Sequence, residues 1–204
     1  MGLNQRRNNM WDLKLRQVYN IVLEHPNDTK RTEWFNKLTN NPEHKYLQVG
    51  VAPWAGKYGL NWTSIDKYDF RPCIDYNFDI CNWGEMEIFE GQFDLVQCNA
   101  ILEHVKNPFD AANTIIKILK PGGVAYVEVP FIQPYHPHGD WDETMPILDL
   151  GDSGRAPHGG DYWRFTPQGV RELFKDLDVL DLFICSQGGV VFVGSKKVPE
   201  EGIL

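Results

Sequence analysis

Between Phe93 and Pro130, short apolar runs flank one amphipathic stretch, in the order strand, loop, helix, strand. Phe93 to Cys98 and Val124 to Val129 are mostly apolar, as strands buried on both faces of a parallel sheet are. Between them Phe109, Ala112, Ile115, Ile116 and Leu119 recur at helical spacing. They predict a helix from Pro108 to about Leu119 with that set as its buried stripe. Asn107 is a good N-cap, and Pro108 suits the first helical position, where a missing N–H costs nothing. Gly122-Gly123 then releases the chain into the second strand. Two parallel strands need a covering crossover, so the segment reads as a right-handed βαβ unit.

Upstream, Tyr46 to Val51 predicts a first strand, Trp62 to Asp66 a second, and Cys73 to Ile80 a short third. Lys67 to Pro72 is too short to hold a crossover helix between the last two. Before the sheet, Trp11, Leu15, Val18, Tyr19 and Val22 share one helical face that ends at Pro26, and a shorter helix is expected around Trp34, Phe35 and Leu38. These two read as a cap on the sheet's edge or over its mouth. Downstream, Thr166 caps a helix from Pro167 to Leu177. Val179 to Cys185 and Val190 to Val193 follow as strands, and the tight Ser186-Gln187-Gly188-Gly189 link favours an antiparallel hairpin. The fold class is α/β. A chain of 204 residues fits one domain. Its parts are an N-terminal helical cap (1–45), a first sheet half (46–130), a long polar and aromatic loop (131–165), and a final helix with the hairpin (166–204).

Composition narrows the partners. A net charge of −8 argues against a nucleic-acid footprint, which needs a basic face to displace counterions from phosphates. No apolar run approaches bilayer-spanning length, so no membrane partner is expected. Cys73, Cys81, Cys98 and Cys185 show no close CxxC pairing, and without a secretory signal they read as reduced thiols of a cytoplasmic protein.

The wording of the central segment goes further. Leu102-Glu103-His104-Val105, Asn107-Pro108 and Leu119-Lys120-Pro121-Gly122-Gly123 resemble the second half of class I S-adenosylmethionine-dependent methyltransferases. Val129-Pro130-Phe131, Pro134-Tyr135-His136 and Asp161-Tyr162-Trp163-Arg164-Phe165-Thr166 resemble a type 11-like subgroup often encoded with bacterial surface-polysaccharide synthesis. The resemblance spans about Tyr46 to Val193. It implies a Rossmann-like methyltransferase sheet, mostly parallel with a C-terminal antiparallel hairpin and helices on both faces. It also implies S-adenosyl-L-methionine as cofactor, with S-adenosyl-L-homocysteine as product.

On that resemblance the cofactor-binding residues are Gly50 and Ala52 in the loop after the first strand, Asp66 for the ribose hydroxyls, and Asp79 and Ile80 for the adenine. Asn99 and Ala100 lie at the carboxyl edge where open α/β sheets bind ligands, and touch the methionine part. His136 is the candidate general base, being neutral and available near pH 7. His104 is a candidate base or an ordering hydrogen bonder. Tyr135, Trp141, Trp163 and Arg164 are the candidate acceptor-binding residues, on a loop long enough to be a lid. His136, His138, Asp140 and Asp142 alternate without a specific metal-ligand spacing, and no metal is expected.

Three readings compete. The first is methyl transfer to O or N of a small molecule or glycan precursor, by a monomer or homodimer. The second is a catalytically inactive protein of the same fold acting as a binding or regulatory partner. It draws on Gln48 where the family has an acid, Ala52 where it has glycine, and Trp54 where it has a small residue. The third, a nicotinamide-dependent oxidoreductase, lacks the GxGxxG that should follow the first strand.

Overall fold

The computed structural model describes residues 28–51, 57–133, 160–185 and 188–199. The expected helix at 11–23 lies outside them. Six strands form one sheet: β1 (Tyr46–Val49), β2 (Trp62–Ile65), β3 (Phe93–Asn99), β4 (Leu119–Pro130), β5 (Leu177–Ile184) and β6 (Gly189–Lys196). Their order is β2-β1-β3-β4-β6-β5. β2, β1, β3 and β4 run parallel, and β6 pairs antiparallel with both β4 and β5. The sheet is therefore the mostly parallel one with a terminal hairpin that the sequence predicts.

Helices cover both faces. On one, α2 (Trp83–Met86), α3 (Pro108–Ile118) and α4 (Pro167–Leu173) pack Met86, Ala111, Ala112, Ile115, Ile118, Val170 and Leu173 against Leu47, Val96, Cys98, Ala125 and Val127. On the other, α1 (Asp28–Leu38) lays Trp34, Phe35 and Leu38 over Tyr46, Trp62, Leu95 and Tyr126. This helix covers a sheet face rather than only an edge. Strand side chains alternate between the two cores, as a period of two requires.

The crossover from β3 to β4 is α3. Asn107 caps it by accepting from the Phe109 N–H at 3.1 Å, with Pro108 in its first turn. Asn107→Ala is expected to lower stability by about 1 kcal/mol, measured by urea melts. Phe109 itself departs from the expected stripe and is 57% exposed. At 3.6 residues per turn it stands about 120° around the helix from Ile115, and Ala111 and Ile118 fill the inner face instead. β4 starts earlier than Gly122-Gly123 suggests. Leu119 pairs with Phe93 and Val124 with Leu95, so residues 120–123 bulge out, Gly122 at φ 79°.

The expected third strand over Cys73–Ile80 does not form; a single parallel bridge joins Ile65 to Tyr76. Side chains occupy the ladder's place. The Asp75 carboxylate accepts from the Ser64 N–H (2.8 Å) and from Lys57 Nζ (2.9 Å), while Ser64 Oγ donates to the Cys73 carbonyl (2.6 Å). The missing strand also removes the need for a crossover over 67–72. α4 ends at Leu173 rather than 177, because Leu177 already pairs with Lys196 in β5. Its Thr166 cap holds, accepting from the Gly169 N–H at 3.1 Å.

Candidate active site at the carboxyl edge of the sheet

β1, β2 and β3 end side by side, and the turns leaving them gather the residues of the first candidate cluster. Gly50 leaves β1 at φ 73°, with its N–H on the Ile65 carbonyl at 2.8 Å. A Cβ at that point would sit 2.1 Å from Ile101 Cδ1 and 2.8 Å from its Cγ1. Only glycine meets both demands, the left-handed backbone and the close approach of the turn after β3. That turn is itself unusual. Ala100 has φ 53°, a region non-glycine residues avoid, and is held there by its N–H on the Glu128 carbonyl at 2.9 Å. Asn99 and Ala100 are exposed beside it. Gly50, Asn99 and Ala100 thus come together; Ala52 lies outside the described residues.

Asp66 follows β2, next to the end of β1. Its Oδ1 accepts from the N–H groups of Tyr68 (2.9 Å) and Asp69 (3.0 Å), so the carboxylate shapes its own turn. The turn delivers Asp69, fully buried, to Arg71, which grips it through Nε at 2.8 Å. Arg71 Nη2 then donates to the Val51 carbonyl at 3.0 Å. The loop after β1 is therefore braced from the loop after β2. Asp79 accepts from Lys67 Nζ at 2.8 Å and from the Cys81 N–H at 2.9 Å, and Ile80 is buried in the core. The Asp79 hydrogen bond raises the Lys67 pKa above its ordinary value despite partial burial.

A second cluster surrounds Leu102–His104, where residues 160–166 are stitched onto the turn. The Tyr162 N–H donates to the Glu103 carbonyl (2.7 Å), Trp163 Nε1 to the Val105 carbonyl (2.8 Å), and the Phe165 N–H to the Pro130 carbonyl (2.8 Å). His104 Nδ1 lies 3.2 Å from the Gly160 carbonyl oxygen, the placement of an ordering hydrogen bond. Arg164 forks onto the buried Asp161 and donates Nε to the Gln133 carbonyl at 3.0 Å. Its guanidinium is engaged in holding this strap, while Trp163 as a residue stays 41% exposed. His136, Tyr135 and Trp141 lie outside the described residues.

Besides Asp69, the buried carboxyls of Glu103 and Glu128 had no role assigned from the sequence. Glu103 is fully buried, and burial pushes its carboxyl up to about 8; the Asp161 charge adds to this and Arg164 opposes it. Glu128 stands on the α1 side of β4 with Arg31 Nη1 at 3.0 Å. Burial raises its pKa and the Arg31 charge pulls it back. One signal could have found it: a lone charge within the apolar run Val124–Pro130.

The profile of a family described as a methyltransferase domain matches residues 20–178. An uncharacterised methyltransferase of Schizosaccharomyces pombe is 33% identical over 92 residues, which are 44% of this chain and 29% of that protein. The chain therefore spans under a third of that relative's length. Among solved structures, the 4+2 cyclase SpnF superposes with a TM-score of 0.55 at 14% identity, covering 83% of this chain and 81% of its own. The Burkholderia thailandensis 1,6-didemethyltoxoflavin-N1-methyltransferase, solved with 1,6-didemethyltoxoflavin and S-adenosylhomocysteine bound, superposes with a TM-score of 0.50 at 14% identity. There the coverage is 93% of this chain and 90% of that one. At such identities these two structures bear on the fold.

Proposed function

The chain belongs to the methyltransferase-domain family, and from that premise we propose that it transfers a methyl group from S-adenosylmethionine to an oxygen or nitrogen of a small molecule or glycan precursor. The observation carrying this is the meeting of Gly50 with the strained Ala100–Ile101 turn at the carboxyl ends of adjacent parallel strands. Ligands of open α/β sheets bind at that edge. When bound, S-adenosylmethionine would supply an electrophilic sulfonium methyl for in-line transfer to the acceptor, with S-adenosylhomocysteine as the leaving group. This chain's residues do the holding and orienting.

In this reading Gly50, Ala52, Asn99 and Ala100 border the methionine end, Asp66 receives the ribose hydroxyls, and Asp79 and Ile80 flank the adenine. Arg71, through Val51, keeps the loop after β1 in place. His136 takes the acceptor's proton, and His104 orders the strap that brings Trp163 and Arg164 toward the acceptor beside Tyr135 and Trp141. No step requires a metal. The four cysteines are free thiols, which supports a cytoplasmic setting. Among the described residues no helix is long and apolar enough to cross a membrane. The protein acts as a monomer or homodimer.

Calorimetric titration with S-adenosylhomocysteine tests the reading, and wild type is expected to bind. Absence of heat at high micromolar ligand would sink it and leave the inactive-partner alternative standing. Asp66→Ala should weaken binding about ten- to a hundred-fold, through loss of charge-assisted hydrogen bonds to the ribose. Affinity equal to wild type would remove Asp66 from the ribose site.

A further inference from the structure

Residues 160–166 lie against the turn after β3, and four ionisable side chains meet where they join: Glu103 and His104 from the turn, Asp161 and Arg164 from the strap. The Glu103 and Asp161 carboxyls are fully buried, and Arg164 is forked onto Asp161. His104 Nδ1 reaches the Gly160 carbonyl at 3.2 Å, while its Nε2 stands 3.8 Å from Glu103 Oε1. A carbonyl only accepts, so Nδ1 carries the hydrogen and the neutral ring turns a bare Nε2 toward Glu103. Two groups act on the same carboxyl from behind. Cys98 of β3 is a thiol that burial keeps neutral, and Glu128 of β4 is a carboxyl already shared with Arg31. Charge decides what this cluster tolerates. With Glu103 ionised, two buried carboxylates depend on the single Arg164 guanidinium; with Glu103 protonated, Asp161 and Arg164 balance each other.

We propose that Glu103 is a proton-operated latch on the strap: with its proton it lets residues 160–164 close onto the Leu102–Val105 turn, and without it they come away. The strap is built to open locally. Tyr162 and Trp163 are 46% and 41% exposed, and they are held by one hydrogen bond each, to the Glu103 carbonyl at 2.7 Å and the Val105 carbonyl at 2.8 Å. Phe165, buried in the core, keeps the far end anchored. Opening gives the Glu103 carboxyl to water, where it ionises near 4.5, whereas in the docked strap burial pushes it up to about 8. Each opening therefore releases a proton between those two values. Rising pH favours the open strap across that window and has no further effect above it. Within the methyl-transfer reading, on which only this consequence rests, the latch sets the pH range over which Trp163 and Arg164 stand ready for the acceptor.

Hydrogen exchange followed by NMR from pH 5 to pH 9 tests the latch at two hydrogens of the strap, the Tyr162 amide and the Trp163 indole N–H. The quantity compared is the protection factor, which removes the intrinsic acceleration of exchange with pH. In wild type both hydrogens should be less protected than the amides of β3. Their protection should fall by up to about tenfold per pH unit until about pH 8 and then level. Glu103→Gln should keep the strap docked and flatten that fall. Protection of the strap that is independent of pH in wild type overturns the proposal, and so does a fall that persists in Glu103→Gln. Strap hydrogens as protected as those of β3 at every pH also overturn it, since the strap would then open only with the whole fold. Should Glu103→Gln not fold, Asp161→Asn removes the neighbouring charge and leaves Arg164 to Glu103. The fall should then level at a lower pH, and an unmoved window overturns the proposal. A wild type that binds no S-adenosylhomocysteine is a separate result: it removes the methyl-transfer reading and leaves the exchange data to decide the latch.

Discussion

Replacing Glu103 with glutamine is expected to abolish a fall in folding stability of about 4 kcal/mol that wild type shows between roughly pH 4.5 and pH 8. The folded chain keeps the Glu103 proton up to about pH 8, whereas the unfolded chain releases it near 4.5. Across that window the folded state binds one more proton, so raising the pH favours unfolding. The contribution is fully present below the unfolded value and is lost as pH rises through the folded one. Above pH 8 both states are charged and the slope vanishes. Burial drives the shift; Asp161 adds to it, and Arg164, already forked onto Asp161, offsets only part. The aspartates titrate the other way. Burial alone would raise Asp94 and Asp181, but hydrogen bonds from Lys120 and from Lys30 and Trp34 hold them below their ordinary values. Their stabilisation is therefore lost only in acid. Urea melts of wild type and Glu103→Gln at intervals from pH 5 to pH 9 separate the contributions. The two proteins should converge in acid and diverge with rising pH, glutamine being the more stable. Parallel curves would mean that Glu103 is ionised in the fold.

Gly50→Ala is expected to lose about 2–5 kcal/mol of stability and most of the affinity for S-adenosylhomocysteine. Two costs combine. A φ of 73° costs an alanine about 1–2 kcal/mol, and a Cβ 2.1 Å from Ile101 Cδ1 forces an overpacked contact of similar size. Rotation about χ2 moves the Ile101 methyl, but clearing Cγ1 at 2.8 Å takes a change of χ1 or a shift of the backbone beside Ala100. The same displacement would shift the exposed Asn99–Ala100 edge, so binding and stability fall together. A second substitution separates the parts. Adding Ile101→Ala removes the collision and leaves the backbone cost, so the double variant should be more stable than the sum of the single changes predicts. Strict additivity in the melts would show that the Gly50–Ile101 approach is unimportant.

Much of this architecture is legible in the sequence because it depends on local periodicity and punctuation. The apolar runs at 93–98 and 124–129, the Asn107-Pro108 start of α3, the Thr166 cap and the Gly188-Gly189 link each carry their instruction within a few residues. The expectations that failed depend on distant partners. Cys73–Ile80 alternates like a strand, yet Asp75 finds Ser64 and Lys57, and side-chain hydrogen bonds replace the ladder. Phe109 has the spacing of a core residue, but the face α3 buries is set by what the sheet offers it.

The site divides in the same way. Gly50 could be named from the sequence because the resemblance places a glycine in the loop after the first strand, and the Leu102–Val105 wording could be matched as a string. Tertiary structure alone decided that Arg71 reaches Val51, that Arg31 meets Glu128 from a helix 97 residues away in the chain, and that Gln48 and Gln97 share one buried row. Sequence determines which residues are able to form strands, caps and turns, since those preferences act within a few bonds. Burial, and with it the protonation of Glu103 and the orphaned oxygens of Gln48 and Gln97, arises only when remote segments exclude water together.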